Sequence, residues 1–103
     1  MIHYHHQIFE DYIGARYRFE NIGDAIPMHI HGDDLSHDVT VEKGSVRVNE
    51  RIVHQGETYK FNSHEPHEVV ALEPNTVTFH VYDVFPEHYL NLPTECLEGT
   101  IGA

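Results

Sequence analysis

The chain has 103 residues, enough for one compact domain, and 17 acidic side chains against 6 basic ones give a formal net charge of −11. This charge repels phosphate backbones and anionic lipids, so we expect neither nucleic acid nor a membrane surface as a partner. A hydrophobic content of 40% is enough for a small core and argues against disorder. The unusual feature is the 11 histidines, because average composition gives only about two or three in a chain of this length.

One cysteine, Cys96, excludes an intramolecular disulfide. No charged-then-apolar leader follows Met1, and no apolar run approaches the roughly 20 residues that cross a bilayer. We therefore expect a reducing, cytoplasmic location. The chain has no repeat, low-complexity tract or linker, which predicts a single domain over residues 1–103.

Alternating apolar and polar residues, the pattern of half-buried β-strands, begin at Arg16. Turn-forming residues separate the alternating segments at intervals of roughly 8 to 12 residues. The predicted strands are residues 16–20, 37–42, 45–49, 58–61, 67–72 and 75–84. Many short strands at this spacing are typical of a sandwich or small barrel, so the sequence predicts an all-β fold.

The two ends of the chain lack this alternation. Residues 1–14 have no clear period and are expected to form a tail or an edge strand, with the barrel over residues 15–85. The C-terminal segment, residues 86–103, opens with a proline that suits the first position of a short helical turn. In the last long strand we assign the apolar residues to the inward face, which places Asp83 inward and His80 outward.

Four histidines fall where strand geometry favours a shared site. His29 and His31 are two residues apart in an extended stretch, so they project from the same face. His37 shares a strand face with Val39, and His67 opens a further strand. Neutral imidazole is a good ligand for Fe, Mn, Ni, Cu and Zn, so this placement favours a metal site.

Each of these histidines also has an explanation without a metal. In a chain this rich in histidine, a His-x-His pair arises by chance. His37 is alternatively a hydrogen-bonded residue at the barrel mouth, and His67 a residue that satisfies a nearby backbone carbonyl. Asp34, in the turn before His37, is the alternative fourth ligand.

The spacing of these residues resembles the two motifs of the cupins, in particular the small single-domain members of the RmlC-like cupin superfamily with the cupin 2 conserved barrel. The first motif has a glycine, five residues, His-x-His, three or four residues, a glutamate and, after six more residues, a second glycine. Gly23, His29, His31 and Gly44 fit this motif, and His37 stands at the glutamate position after one extra turn residue.

The second cupin motif is matched in spacing more than in residue type. Gly56 and His67 keep the expected interval, whereas Asn62, His64 and Ala71 replace the usual proline, glycine and asparagine. Together the two motifs extend the resemblance over most of the chain.

The resemblance implies a jelly-roll barrel, the double-stranded β-helix of the cupins. It also implies one divalent transition metal ion, Fe, Mn, Ni, Zn or Cu, held by His29, His31, His67 and His37. A histidine in place of the glutamate adds no negative charge to the site. The metal ion therefore keeps more of its positive charge and is a stronger Lewis acid. Small cupins commonly pair, so a homodimer is implied, with residues 2–9 as the candidate pairing strand.

Residues 82–90 resemble the segment that closes small cupins of the pectin-degradation type, which open unsaturated uronate rings. In that type an Asp, a Phe and a following Arg line the pocket. Asp83 and Phe85 match, whereas no Arg follows them, and His88 or Tyr89 stands nearest its place. The resemblance implies Asp83 as catalytic acid or base and Phe85 and His88 as pocket residues. Tyr59, on a core strand, is expected to turn its hydroxyl towards the pocket. Alternatively, Asp83 only satisfies a turn and Phe85 only plugs the barrel end.

Three candidate functions follow, all with a small-molecule ligand. The foremost is a mononuclear metalloenzyme acting on a sugar-acid-like metabolite by Lewis-acid proton transfer, isomerisation or ring opening. The second is a non-haem iron dioxygenase of the three-histidine cupin type. The third is a non-catalytic ligand-binding or sensory cupin.

Overall fold

The protein consists of β-strands and turns throughout the part that the structure, a computed structural model, describes. The described residues are 1–8, 13–29, 37–61, 67–82 and 98–101. They contain β1 (Ile2–Ile8), β2 (Ile13–Phe19), β3 (Ala25–His29), β4 (His37–Lys43), β5 (Ser45–Val48), β6 (Arg51–His54), β7 (Thr58–Phe61), β8 (His67–Ala71), β9 (Thr76–Tyr82) and β10 (Glu98–Ile101). These ranges hold no helix long and apolar enough to span a membrane.

The strands form two antiparallel sheets that enclose the core. One sheet has six strands in the order β10-β1-β2-β9-β4-β7, and the other has four in the order β3-β8-β5-β6. Consecutive strands repeatedly cross from one sheet to the other, as in a jelly roll. The predicted all-β jelly-roll barrel is therefore confirmed.

The core lies between the sheets and is formed by alternate residues of the strands, because successive strand side chains point to opposite faces. Both sheets contribute fully buried side chains, among them Phe19, Val39, Val41, Val46, Val48 and Val69. All six predicted strands are present within a few residues of their expected bounds.

The N-terminal segment is a strand inside a sheet and not an edge. Residues Ile2 to His5 pair on one side with β2 and on the other with β10. Ile2 is buried and Tyr4 packs against the core, but three histidines among residues 2–8 hide this alternation in the sequence. The expectation that residues 2–9 present a free pairing edge is therefore wrong for this part of the strand. The predicted helical turn after Pro86 lies outside the described residues.

The face assignment of β9 from the sequence is also wrong. His80 is only 1% exposed and Thr78 is fully buried, and a hydrogen bond of 2.8 Å joins Thr78 Oγ1 and His80 Nε2. This bond lowers the cost of burying two polar groups. Phe79, on the opposite face, is half-buried beneath the Arg16 guanidinium, 5.2 Å from its ring centroid. The alternation in β9 therefore gives no support to an inward position for Asp83, which lies outside the described residues.

The turn between β4 and β5 depends on Gly44, whose φ of +83° is unfavourable for other residues. A Cβ atom there would overlap Oγ1 of Thr76, and the Thr76 hydroxyl is held by donation to the Glu73 carbonyl at 2.9 Å. We expect Gly44→Ala to lower the free energy of unfolding by about 1–3 kcal/mol or more, measured by urea denaturation.

Gly56→Ala is the matched control for this prediction. Gly56 has a similar φ of +86°, but a Cβ atom there meets nothing within 4 Å. Its replacement by alanine should therefore show only the cost of the left-handed backbone conformation. It should lower the free energy of unfolding less than Gly44→Ala does. Equal losses in the two variants would show that the contact with Thr76 has no part in the effect.

Candidate functional site

Two of the predicted metal ligands are neighbours on adjacent strands. His29 is the last residue of β3, His67 is the first residue of β8, and the two are direct partners in the antiparallel register. The register shifts between Ile26 and His29, just before this pair. Residues that pair across neighbouring strands are well placed to share one ion.

His37 opens β4 in the other sheet. It pairs with Phe61 of β7 and with Tyr82 of β9, and it belongs to the same alternating series as the fully buried Val39. The structure thus gives His37 the strand position that the sequence predicts.

The side chains of the candidate metal ligands are not among those that the structure describes. His31 and the alternative ligand Asp34 lie outside the described residues, as do the side chains of His29, His37 and His67. Among the side chains that are described, no group of three or more His, Cys, Asp or Glu is placed to hold a metal ion. The donor set itself fits, because three or four imidazoles suit a divalent transition metal.

A cleft of about 710 Å³ lies next to the start of β8. Its described lining comes from β5, β6, β7, β8 and the β5–β6 turn, and consists of Arg47, Val48, Asn49, Glu50, Arg51, Tyr59 and Glu68. Glu68 directly follows His67, so the cleft adjoins the strand end that carries a predicted ligand. Tyr59, the predicted pocket residue, lies in this lining, whereas Phe85 and His88 are outside the described residues.

Asn49 holds the β5–β6 turn against β8. Its φ of +51° lies in the left-handed region, which asparagine tolerates better than most residues. The Asn49 backbone N–H donates to the Glu68 carbonyl at 3.2 Å, and Asn49 Oδ1 accepts from the Glu68 N–H at 3.0 Å. These two bonds extend the ladder between β5 and β8 and fix one wall of the cleft.

Two arginines of the cleft have different partners. Arg47 donates to a carboxylate oxygen of Glu68 at 3.2 Å and to the carbonyl of Asn49. The Arg51 guanidinium lies over the Tyr59 ring, 5.7 Å from its centroid. Arg51 was not singled out from the sequence, because β6 was not predicted.

His80 is an interior residue that the sequence did not reveal. Its ring centroid lies 4.5 Å from that of Tyr17, and the Tyr17 hydroxyl is 3.4 Å from Nε2 of His6. Burial, and to a lesser extent the charge of His5, lowers the pKa of His6 below its usual value. His80 pairs with Val39, two positions from His37, so β9 adds a buried imidazole near the candidate metal centre. The only sequence signal was the alternation in β9, which does not show which face is inward.

No protein-family model matches the sequence, and no curated protein matches it significantly. Solved structures match its fold. An RmlC-like cupin from Desulfovibrio desulfuricans superposes with a TM-score of 0.68 at 15% identity, over 78% of this chain and 79% of the other. The chain folds as a small cupin barrel. This confirms the fold that the motif spacing implied.

Two further cupin-fold structures are similar to this chain. KdgF from Halomonas sp. has a TM-score of 0.72 and 20% identity, over 86% of this chain and 84% of the other. An oxalate decarboxylase has a TM-score of 0.64 and 25% identity over 74% of this chain, but the match covers only 22% of that longer chain.

Proposed function

We propose that this cupin is a mononuclear metalloenzyme that acts on a small sugar acid by proton transfer, isomerisation or ring opening. The observation that carries the proposal is the direct pairing of His29 with His67 beside the cleft. A residue pair of this kind is unnecessary for closing a barrel, and Glu68, the residue after His67, lines a cleft large enough for a small sugar. The resemblance of residues 82–90 to uronate-opening cupins supports the choice of a sugar acid.

His29, His31, His37 and His67 would hold the ion. A divalent transition metal supplies a Lewis acid that polarises an oxygen of the bound substrate. Because imidazole carries no charge, the four-histidine set leaves more of the metal charge available than a set that includes glutamate. Fe, Mn, Ni, Zn and Cu all suit these donors.

The chain's own residues would orient the substrate and move its proton. Tyr59, together with Phe85 and His88, would line the substrate site. The Asp83 carboxylate would take the proton of a ring hydroxyl as a cyclic hemiacetal opens and return a proton to the ring oxygen. The roles of Asp83, Phe85 and His88 rest on the resemblance alone.

Turnover of an unsaturated uronate tests this proposal. We expect the protein to consume the unsaturated ring, which is measured as a loss of ultraviolet absorbance. Treatment with a chelator should stop this activity. Added divalent metal should restore the activity, and removal of O2 should leave the rate unchanged, since ring opening needs no oxidant.

The outcomes separate the three candidate functions. Turnover that stops without O2 would replace the proposal with the dioxygenase alternative. Metal-loaded protein that binds the uronate without converting it would identify a ligand-binding cupin. Buffer with metal and no protein is the control, because free metal ions also catalyse reactions of sugar acids.

A further inference from the structure

The cleft beside β8 contains an arginine, Arg51, that pairs with no carboxylate among the described side chains. Acidic side chains outnumber basic ones by 17 to 6 in this chain. Arg16, Arg18 and Arg47 each lie within 4.0 Å of a glutamate oxygen. Within the described ranges, Arg51 forms no such ion pair. Arg51 is exposed, so its guanidinium is accessible to an anionic ligand that enters the cleft.

Arg51 is also held in a geometry that leaves its donors available. Its guanidinium lies over the ring of Tyr59, which in turn packs 4.9 Å from Phe61 by ring centroids. A cation–π contact uses no N–H group, so the planar edge of the guanidinium can still donate two parallel hydrogen bonds. That edge matches the two oxygens of a carboxylate.

The surroundings of Arg51 suit a molecule of sugar size. The cleft volume of about 710 Å³ falls within the range of roughly 300–1,000 Å³ found for small-molecule sites. Two glutamates also line the cleft: Arg47 binds the Glu68 carboxylate and offsets its charge, while Glu50 is exposed, so solvent screens its charge. The Asn49 bonds to β8 keep the turn that precedes Arg51 in place.

We propose that Arg51, positioned over Tyr59, forms a carboxylate-binding subsite in this cleft. The carboxylate of a small sugar acid accepts two hydrogen bonds from the Arg51 guanidinium, and the rest of the molecule extends towards Glu68 and the start of β8. The choice of a sugar acid rests on the proposed function, whereas the carboxylate site rests on the contacts of Arg51.

Binding of D-galacturonate to the full chain tests this subsite, with D-galactose as the matched neutral sugar. We expect saturable binding of galacturonate by NMR titration at low ionic strength, and weaker binding of galactose. Arg51→Gln should weaken galacturonate binding about tenfold, because two charge-assisted hydrogen bonds are lost. Arg51→Lys should have an intermediate effect, since it keeps the charge but lacks the planar fork.

Arg18→Gln is the control, because it removes the same charge from an exposed position on β2, outside this cleft. Equal affinities in the Arg51→Gln and Arg18→Gln variants would overturn the subsite. So would galactose binding as tight as galacturonate binding, or wild-type protein that shows no saturation by about 10 mM, tenfold above a Kd of about 1 mM.

The titration is carried out on chelator-treated and on metal-loaded protein, so that the two proposals fail separately. A tenfold loss in Arg51→Gln without any metal present would support the subsite even if the protein proved not to be a metalloenzyme. Metal-dependent turnover with an unchanged KM in Arg51→Gln would overturn the subsite and leave the enzymatic proposal intact.

Discussion

Replacing His29 or His67 with alanine is expected to reduce the metal content of the purified protein from about one ion per chain to nearly none. The two residues are direct partners across β3 and β8, so either replacement removes one of two adjacent imidazoles. A site of four donors loses most of its affinity when one of them is absent. Elemental analysis of protein purified without added metal provides the measurement.

His54→Ala is the matched control for the metal prediction. His54 is an exposed residue at the end of β6 and belongs to neither cupin motif. Its replacement should leave the metal content unchanged. Circular dichroism should show a folded barrel in all three variants, because metal loss through unfolding would not count as evidence. Unchanged metal content in folded His29→Ala and His67→Ala proteins would contradict the site.

Phe19→Ala is expected to cost about 3–5 kcal/mol of folding free energy, the usual range when a buried phenylalanine is truncated. Phe19, the last residue of β2, is fully buried between the two sheets. A small domain has a total stability of only about 5–15 kcal/mol, so this variant should unfold at much lower urea concentration and temperature.

Phe79→Ala makes this experiment a test of the β9 faces as well. Phe79 is half-buried on the outer face under Arg16, so its truncation should cost about 1 kcal/mol. The sequence-based assignment placed Phe79 inward and therefore predicts a loss similar to that of Phe19→Ala. If Phe79→Ala lost as much folding free energy as Phe19→Ala, that assignment would be restored and the buried position of His80 would be contradicted.

The sequence predicted the strands whose side chains alternate clearly, such as β4, where Val39 and Val41 are buried and Glu42 is exposed. It missed β6, because Ile52 is 54% exposed beside the buried Val53, and two adjacent apolar residues do not show alternation. Arg51 was missed for the same reason. Its proximity to Tyr59 depends on how the two sheets pack, which no local pattern contains.

The candidate metal centre was predicted by spacing along the chain. The intervals from Gly23 to His29 and from Gly56 to His67 carried the cupin resemblance and with it the fold. The position of His67 opposite His29 follows from pairing between β3 and β8, strands far apart in the sequence. The resemblance implied a shared site, and the register places the two residues side by side.

By itself the sequence determined that this protein has an all-β fold of the cupin type with histidines at strand ends, because alternation and motif spacing are local properties. The tertiary structure alone decided which face of β9 is inward and which two arginines line the cleft. Thr78 and His80 satisfy each other by a hydrogen bond inside the barrel, so the more polar face can be buried. Burial is decided by all the partners that surround a strand, and those partners come from distant parts of the chain.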